Sequence, residues 1–509
     1  MCREDIDVFC KCFSAFVDGI NGVTVTVEAD IGNGMPGFDM VGLLSCEVKE
    51  AQERVRIALK NSGIKFPPKH ITINISPASI RKVGTAFDLP IAAVLLGAFE
   101  LIPRQSIENT LIVGELGLDG SVKRVNGILP VMLSLSQTGI NRCIIPLDNE
   151  KEAMVAENMD IYGVNSIEEL IKLLSGEKYQ TTCRRDDIDI INNEEIPEVD
   201  FADVAGQEAI VRAVSISVAG MHNILMTGPP GSGKTMIAKA VAGIMPKLSF
   251  EETIDVSRIY SAAGLLNSEK SLVTKRPFVA PHHAVTVNGM VGGGANPKPG
   301  AVSLASKGVL FLDELPEFAG RTIEALRQPL AEGYVDISRL SGNYRFPADF
   351  MLVAARNPCR CGYFPDRNRC NCSDNEVKRY MAKISKPIMD RIDIFIRVEQ
   401  AKLSDVKEGG KYTSSQLKEK IEAARLRQEK RYKNENIKYN SHLTTSMIKR
   451  YCVLDDMAQN LLERAFEKYK LTIRGYYKII KVARSVADYE NSDKVCLEHI
   501  AEAISYRNA

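Results

Sequence analysis

GPPGSGKT, from Gly228 to Thr235, decides the fold, because it fits the pattern G-x-x-x-x-G-K-[ST] in full. NILMTG before it is typical of a strand, and KTMIAKAVAGIM after it is typical of a helix. In that context, main-chain N–H groups turn inward around phosphate, and the helix N-terminus adds positive potential. We therefore predict that this loop binds ATP, with Lys234 on the β- and γ-phosphates and Thr235 on Mg²⁺. The predicted nucleotide-binding residues are Gly228, Pro229, Pro230, Gly231, Ser232, Gly233, Lys234 and Thr235.

Two further apolar segments end in polar residues. GVLFLDELPEF contains a short strand that ends at Asp313 and Glu314. Asp313 is predicted to hold Mg²⁺, and Glu314 to polarise the attacking water. FMLVAARNPC predicts a third strand ending at Asn357, whose amide would orient that water between the two phosphate elements. The alternative for Asn357 is a cap on the following turn.

The length, composition and net charge of the chain narrow the class of protein to which it can belong. The chain has 509 residues, of which 45% are hydrophobic and 25% charged, which predicts a globular protein of several domains. A formal net charge of +1 means that any nucleic-acid contact must come from a local basic surface. The sequence shows neither a signal peptide nor an apolar run long enough for a membrane span, so we expect a cytoplasmic protein.

The order of patterns predicts an α/β protein built in segments. Mixed strand and helix periodicity comes first, then an acidic stretch, then alternating strands and helices typical of a parallel sheet, and last an almost wholly helical region. The predicted segments are a tail at 1–12, a mixed α/β domain at 13–175, a linker at 176–200, the parallel-sheet core at 201–400 and a helical domain at 401–509.

A cysteine cluster lies directly after the third strand. Its spacing is C-x-C-x8-C-x-C, and four thiolates so close in the chain can surround one tetrahedral Zn²⁺. The site would be structural, because four protein ligands leave no open position. A redox pair and inert thiols are the alternatives. The candidate ligands are Cys359, Cys361, Cys370 and Cys372.

These elements resemble Walker A, Walker B and sensor 1 of AAA+ ATPases. RPFVAPHHAVTVNGMVGGGANPKPGAVSLASKGVLFLDELPEF and NPCRCGYFPDRNRCNC further resemble the magnesium-chelatase-like ComM/YifB family. The resemblance implies an AAA+ core with a C-terminal helical lid, assembled as a homo-hexamer. It also implies an arginine finger at Arg391 in MDRIDIF and a sensor 2 arginine at Arg474, with Arg484 as the second candidate. The alternative for Arg391 is a surface salt bridge with Asp390 or Asp393.

The N-terminal segment resembles the Lon-protease domain, which has a ribosomal S5-like fold. FSAFVDGINGVTVTVEADIGNGMPGFDMVGL and KVGTAFDLPIAAVLLGAFELI carry this resemblance. Lon-type proteases use a serine and a lysine, but those positions fall here on Ala86 and Leu129. We therefore expect a scaffold without peptidase activity.

The family resemblance implies a hexameric DNA motor, namely a branch-migration helicase of homologous recombination or natural transformation. Single-stranded or branched DNA would be its substrate, and recombination proteins its further partners. SRLSGNYRFPADF predicts a hairpin with its turn at Gly342-Asn343 and with Arg339 and Arg345 available to phosphates. A plain exposed hairpin without nucleic-acid contact is an equal alternative. Positions 401–450 add thirteen Lys or Arg against six Asp or Glu, for which a solvated helix face is the alternative. The alternatives are a magnesium-chelatase-type motor subunit and a non-translocating AAA+ remodelling factor.

Overall fold

The computed structural model describes residues 9–135, 138–156, 159–177, 199–339, 342–401 and 403–507. Its strands are β1 Cys10–Asp18, β2 Asn21–Gly32, β3 Gly37–Val41, β4 His70–Ser76, β5 Thr110–Ile112, β6 Glu115–Leu116, β7 Val122–Lys123, β8 Arg142–Pro146, β9 Asp160–Val164, β10 Ile224–Thr227, β11 Phe278–Val279, β12 Gly292–Gly293, β13 Lys298–Pro299, β14 Val309–Leu312, β15 Tyr334–Arg339, β16 Gly342–Pro347, β17 Met351–Arg356 and β18 Ile394–Arg397.

The helices are α1 Cys46–Asn61, α2 Asp88–Ala98, α3 Ile128–Leu135, α4 Glu150–Ala153, α5 Ile167–Leu174, α6 Glu208–Gly220, α7 Lys234–Ile244, α8 Phe250–Ala263, α9 Val287–Val291, α10 Ala301–Leu304, α11 Gly320–Glu324, α12 Pro329–Glu332, α13 Asp374–Met381, α14 Lys386–Met389, α15 Leu403–Glu408, α16 Ser414–Arg431, α17 Thr445–Tyr451, α18 Asp456–Lys468, α19 Ile473–Tyr489 and α20 Leu497–Ser505. Among the described residues, no helix combines the length and the apolar character that crossing a bilayer requires.

The chain divides into two compact units. Unit 1 comprises Met1–Asn193, Phe250–Thr274 and Ser338–Tyr344, and unit 2 comprises the remainder. The predicted core at 201–400 is therefore shared between the units, whereas the helical region after it belongs wholly to unit 2. The predicted linker at 176–200 lies almost entirely outside the described residues.

Unit 1 is built on a seven-stranded mixed sheet in the order β3-β4-β2-β1-β5-β8-β9. The alternating patterns of VTVTVEADIG and ITINIS predict strands, and these segments form β2 and β4. β2 pairs antiparallel with both β1 and β4. Helix α2 is buried along its whole length, because its sequence DLPIAAVLLGA is apolar on every face after Asp88, which pairs with Arg54. This helix and the inner face of the sheet form the main core of the unit.

Two features of unit 1 differ from the predicted boundaries. The predicted tail at 1–12 is too long, because β1 already begins at Cys10, and both Cys10 and Cys12 are buried in the core. Helix α8 belongs to this unit because Arg258 donates to the Ile20 carbonyl at 2.7 Å and Ser261 hydrogen-bonds Glu152. Side-chain pairing over long sequence separations is not visible in local periodicity.

Unit 2 is built on a five-stranded parallel sheet in the order β11-β14-β17-β10-β18. This confirms the predicted parallel sheet. β14 and β17 are fully or almost fully buried, which explains their continuous apolar sequences. Because all five strands are parallel, every loop that follows a strand emerges at the same carboxyl edge of the sheet.

The C-terminal part of unit 2 is helical, as predicted. Its interior holds a charged cluster centred on Asp488, which accepts hydrogen bonds from Arg431, Arg484 and Asn440. Asp488 and Arg484 are 2% and 1% exposed, so the cluster contributes to packing rather than to the surface. Part of the basic character of this region is thus internal.

The predicted hairpin is present as β15 and β16, but its turn lies at a different position from the one predicted. Gly342 and Asn343, which we expected at the turn, begin the second strand instead. The residues between the strands, 340 and 341, lie outside the described part of the chain. The third predicted strand, β17, ends at Arg356, so Asn357 is the first residue after it.

Candidate nucleotide site

The loop between β10 and α7 has the conformation that phosphate binding requires. Gly231 and Gly233 have φ angles of +72° and +85°, which residues with a side chain rarely adopt. A Cβ on Gly228 would lie 2.3 Å from the Val398 carbonyl oxygen, so a glycine is needed there for steric reasons. The loop can therefore present its main-chain N–H groups at the N-terminus of α7.

Lys234 lies inside this loop. Its ammonium donates to the carbonyl oxygens of Gly228 at 2.9 Å and Pro229 at 2.8 Å, and it lies 3.5 Å from the Ser232 hydroxyl. Burial lowers the pKa of Lys234, while the carboxylates of Asp313 and Glu314 act in the opposite direction. A phosphate would supply the negative charge that best compensates a partly buried ammonium.

Thr235, Asp313 and Glu314 meet at the carboxyl edge of the sheet. The Thr235 hydroxyl donates to one Asp313 carboxylate oxygen at 2.8 Å, and the Glu314 N–H donates to the other at 2.9 Å. Hydroxyl and carboxylate oxygens are the ligand types that Mg²⁺ prefers, so Thr235 and Asp313 fit the metal. When bound, Mg²⁺ would neutralise charge on the β- and γ-phosphates.

Glu314 has a strained main chain. Its φ and ψ angles of 50° and 47° lie in the left-handed region, which costs a residue with a side chain about 1–2 kcal/mol. Such strain persists only where the surrounding structure enforces it, and it concentrates at functional sites. Its exposed position beside the Asp313 carboxylate matches the predicted role towards water.

Asn357 reaches the same pocket from the central strand. β17 pairs with β10 on one side and with β14 on the other, so its end lies between the Lys234 loop and the Asp313–Glu314 turn. The Asn357 side-chain oxygen lies 3.3 Å from the Lys234 ammonium. The structure thus brings together Lys234, Thr235, Asp313, Glu314 and Asn357.

The sequence did not reveal Gln207, which supports this pocket. Gln207 donates from its side-chain amide to the carbonyls of Ser232 and Glu399, at 3.2 and 3.1 Å, and so fixes the phosphate loop. Both contacts cross long sequence separations, and only the sheet order could have indicated them.

Arg391 does not lie in this pocket. Its carbonyl accepts from the side-chain amide of Asn223, which precedes β10, whereas the phosphate loop follows β10. The four residues of β10 separate the two edges by about 13 Å. The Arg391 guanidinium donates to the carbonyls of Arg327 at 3.0 Å and Pro387 at 2.8 Å, while Asp393 pairs instead with Lys478 at 2.7 Å.

Arg474 lies near Arg391. It is exposed in the first turn of α19, and burial together with the positive charges of Arg327 and Arg474 lowers the pKa of Arg391. Arg484, the second sensor 2 candidate, is enclosed and donates to Asp488 at 3.0 Å and to the Asp493 carbonyl at 2.7 Å. A structural role therefore accounts for Arg484, and the two predicted functional arginines share the amino edge of the sheet.

The four predicted zinc ligands lie together. Their sulfur atoms are all within 4.8 Å of one another, with Cys359 at 3.3 Å from Cys361 and at 3.7 Å from Cys370. Four sulfurs at about 2.3 Å from one zinc would stand about 3.8 Å apart, so the set fits a tetrahedral metal. Hydrogen bonding from the Tyr363 main chain is the largest cause that lowers the pKa of Cys361 to about 6.

Several arginines of the hairpin and of α16 have partners within the chain. Arg345 forms a two-point salt bridge with Asp336, at 2.8 and 2.9 Å, so much of its charge is already compensated. On α16, Arg425 stacks on Tyr439 at 3.6 Å and Arg431 pairs with Asp488. Counts of charge along a sequence do not distinguish these internal partners from a free basic surface.

Comparison with known proteins now fixes the family. Three family models match: "Magnesium chelatase, subunit ChlI" over residues 200–406, "Subunit ChlI of Mg-chelatase" over 27–149, and "Magnesium chelatase, subunit ChlI C-terminal" over 411–507. Competence protein ComM of Haemophilus influenzae is 38% identical over 495 residues, which cover 96% of this chain and 95% of ComM. The chain belongs to the ComM/YifB family.

Two other relatives define the limits of that assignment. YifB of Escherichia coli is 38% identical over 492 residues, which cover 96% of this chain and 95% of the YifB chain. Magnesium-chelatase subunit ChlI of Porphyra purpurea is 24% identical over 186 residues, covering 32% of this chain and 52% of its own. The ComM/YifB members thus match nearly the whole chain, which is an AAA+ ATPase of the magnesium-chelatase type. ATP and Mg²⁺ are the cofactors that this family implies.

Proposed function

We propose that this chain is an ATP-driven DNA motor that works as a homo-hexameric ring in the cytoplasm. Each ring site would combine the pocket of one subunit with Arg391 and Arg474 of a neighbour. The action would be branch migration during homologous recombination or natural transformation. Recombination proteins would be its partners.

The observation that supports a ring is the placement of the predicted catalytic residues on two edges of one sheet. Lys234, Glu314 and Asn357 lie at the carboxyl edge, whereas Arg391 lies at the amino edge beside Asn223. An arginine that stabilises charge on a transferring phosphoryl group must contact it. Within one chain, the length of β10, about 13 Å, separates Arg391 from the pocket along the strand direction, so a second copy would supply it.

The support for DNA comes from the relatives and from local charge. ComM of Haemophilus influenzae is named a competence protein, and this chain matches it over nearly its full length. Lys420, Lys430 and Lys433 are exposed on and after α16 and could contact phosphates. The partial match to the chelatase subunit makes a chelatase-type motor the second candidate.

The remaining two assignments concern the cysteines and unit 1. The four thiols are proposed to hold one structural Zn²⁺, because their separations fit the tetrahedral arrangement. Unit 1 is proposed to be a scaffold without peptidase activity. Ala86 precedes α2 and accepts a main-chain hydrogen bond from Gly114, and Leu129 is fully buried in α3, so neither position offers a nucleophile or a base.

Subunit mixing tests the shared site. Arg391→Ala keeps an intact pocket, and Glu314→Gln keeps an intact arginine, so each variant alone should hydrolyse little ATP. An equal mixture should recover about a quarter of the parent rate, since about a quarter of neighbouring pairs would then combine both intact parts. A mixture as inactive as its components would contradict a shared site.

The substrate is tested by ATP hydrolysis at one stated salt concentration with single-stranded, duplex or four-way-junction DNA. Stimulation by junctions supports branch migration. A response to a porphyrin-binding partner and none to DNA would favour the chelatase-type motor. Cleavage of casein would contradict the inactive scaffold.

A further inference from the structure

We infer that the cysteine loop, residues 359–372, is docked on the phosphate-binding loop, so that zinc in the former and nucleotide in the latter strengthen each other's binding. This inference rests on the nucleotide site and the zinc site proposed above. It does not depend on DNA or on ring assembly.

The first contact joins Gly362 to Pro230. A Cβ on Gly362 would lie 2.3 Å from Cδ and 2.7 Å from Cγ of the Pro230 ring, so the glycine main chain packs directly against the proline. Gly362 is buried and has a φ of +89°, and its N–H donates to the Cys359 carbonyl at 3.1 Å. The residue that touches the phosphate loop is therefore held by a turn that begins at a zinc ligand.

A second connection runs along the chain. Asn357 contacts the Lys234 ammonium at 3.3 Å, and Cys359 follows it two residues later. A shift of Cys359 would therefore move the side chain that faces Lys234. Two separate points of the pocket, Pro230 and Asn357, thus depend on where the cysteine loop lies.

The apolar core of the cysteine loop is small. Its core consists of Cys359, Cys370 and Val377, with Tyr363 and Phe364 packed against them among other partly buried neighbours. Such a small apolar cluster contributes little stability, so a metal that fixes all four sulfurs would add a strong restraint. The Phe364 N–H lies 3.4 Å from the Cys359 sulfur, where it would also stabilise a thiolate.

Coupling between two sites is reciprocal, so a nucleotide that orders the phosphate loop must strengthen zinc binding by the same free energy by which zinc strengthens nucleotide binding. Typical couplings change affinity by about 5- to 150-fold. We expect ADP to raise the zinc affinity of the full chain by about tenfold. This effect would be seen as a smaller fraction of the zinc transferred to a competing chromogenic chelator at equilibrium.

The experiment uses the purified full-length protein. Its zinc content is measured first, and zinc transfer is then followed with and without ADP. A protein that binds zinc but releases it equally in both conditions would overturn the inference, as would a protein that contains no zinc. Lys234→Ala should remove the effect of ADP and leave the zinc content unchanged.

Two glycine variants distinguish the effect of the Gly362–Pro230 contact from the effect of the metal. Gly362→Ala keeps all four cysteines but clashes with Pro230, so it should retain zinc while the ADP effect and the affinity for a fluorescent ADP fall about tenfold. Gly63→Ala is the matched control, because Gly63 has a φ of +83° and a Cβ added there would meet no described atom within 4 Å. Equal behaviour of the two variants would contradict the docking.

A double cysteine variant and its control test the effect of removing the metal. Cys370→Ser with Cys372→Ser should abolish zinc binding and weaken ADP binding about tenfold, as measured by fluorescence titration. Cys46→Ser, at an exposed cysteine of unit 1, should change neither. Circular dichroism shows whether the variants are folded. Unchanged ADP affinity in a folded, zinc-free protein would overturn the inference.

Discussion

The side-chain oxygen of Asn357 lies 3.3 Å from the ammonium of Lys234, which links the central strand of the sheet to the phosphate loop. β17 separates the two strands that precede the phosphate loop and the acidic turn. Any water positioned between those elements would therefore lie within reach of this amide. The consequences can be tested one residue at a time.

Replacing Asn357 with alanine should slow ATP hydrolysis while preserving nucleotide binding. A group that orients the attacking water acts mainly in the transition state, so the expected loss in kcat is about 10²- to 10³-fold. Steady-state hydrolysis and equilibrium binding of a fluorescent nucleotide measure the two effects. Asn61→Ala, which removes an exposed side chain at the end of α1, is the control. A cap without a catalytic role would leave kcat near that of the control.

Glu314→Gln should trap ATP. The amide cannot accept a proton from water, so kcat should fall by about 10²- to 10⁴-fold, while the Lys234 loop and the Thr235–Asp313 pair remain intact. Retention of ATP on the protein after gel filtration measures the trapped state. Glu317→Gln alters an exposed partner of Lys383 and should leave turnover unchanged. Undiminished hydrolysis by the Glu314 variant would rule out its role.

Asp488→Ala should strongly destabilise the helical region of unit 2. The substitution leaves the guanidinium groups of Arg431 and Arg484 without their buried carboxylate, which typically costs about 3–5 kcal/mol. Denaturant unfolding followed by circular dichroism gives the change in the free energy of unfolding. Asp493→Ala is the control, because that side chain is 94% exposed in its pair with Arg427 and should cost under about 1 kcal/mol.

Asp393 should make unit 2 sensitive to acid. Burial alone would raise the pKa of Asp393, but Lys478 and His222 outweigh it and hold the pKa well below its ordinary value. A carboxylate with a depressed folded-state pKa stabilises the fold above its unfolded-state pKa of about 3.9, and this contribution is lost as the pH falls below that value.

The test compares denaturant midpoints of the parent and Asp393→Asn from about pH 7 to about pH 3. The variant should be less stable at neutral pH and should lose less stability on acidification. Asp456→Asn, at an exposed position, should keep the pH dependence of the parent. Parallel pH profiles for the parent and the Asp393 variant would show that Asp393 does not contribute.

The sequence predicted the parts of the fold that depend on local patterns. The phosphate loop, the strand before Asp313 and the parallel sheet follow from glycine positions and apolar runs, and all are present. The family assignment followed from two long stretches. The start of β1 and the position of the hairpin turn were misjudged, because strand pairing rather than turn composition sets them.

Contacts between distant parts of the chain could not be predicted. The grouping of α8 with unit 1, the packing of Gly362 on Pro230 and the internal partner of Arg431 all depend on tertiary structure. Charge counts were least informative, because a paired arginine and a free one are identical in sequence. Arg345, held by Asp336, shows this most directly.

The distance between Arg391 and the phosphate loop has a consequence for ATP consumption by unassembled subunits. In the proposed ring, a solitary subunit would bind ATP without hydrolysing it, since Arg391 would reach the site only from a neighbouring subunit. The abundance of the chain, rather than the supply of nucleotide, would then decide when the motor starts. Monomers would already carry ATP, and they would consume none of it until they assemble.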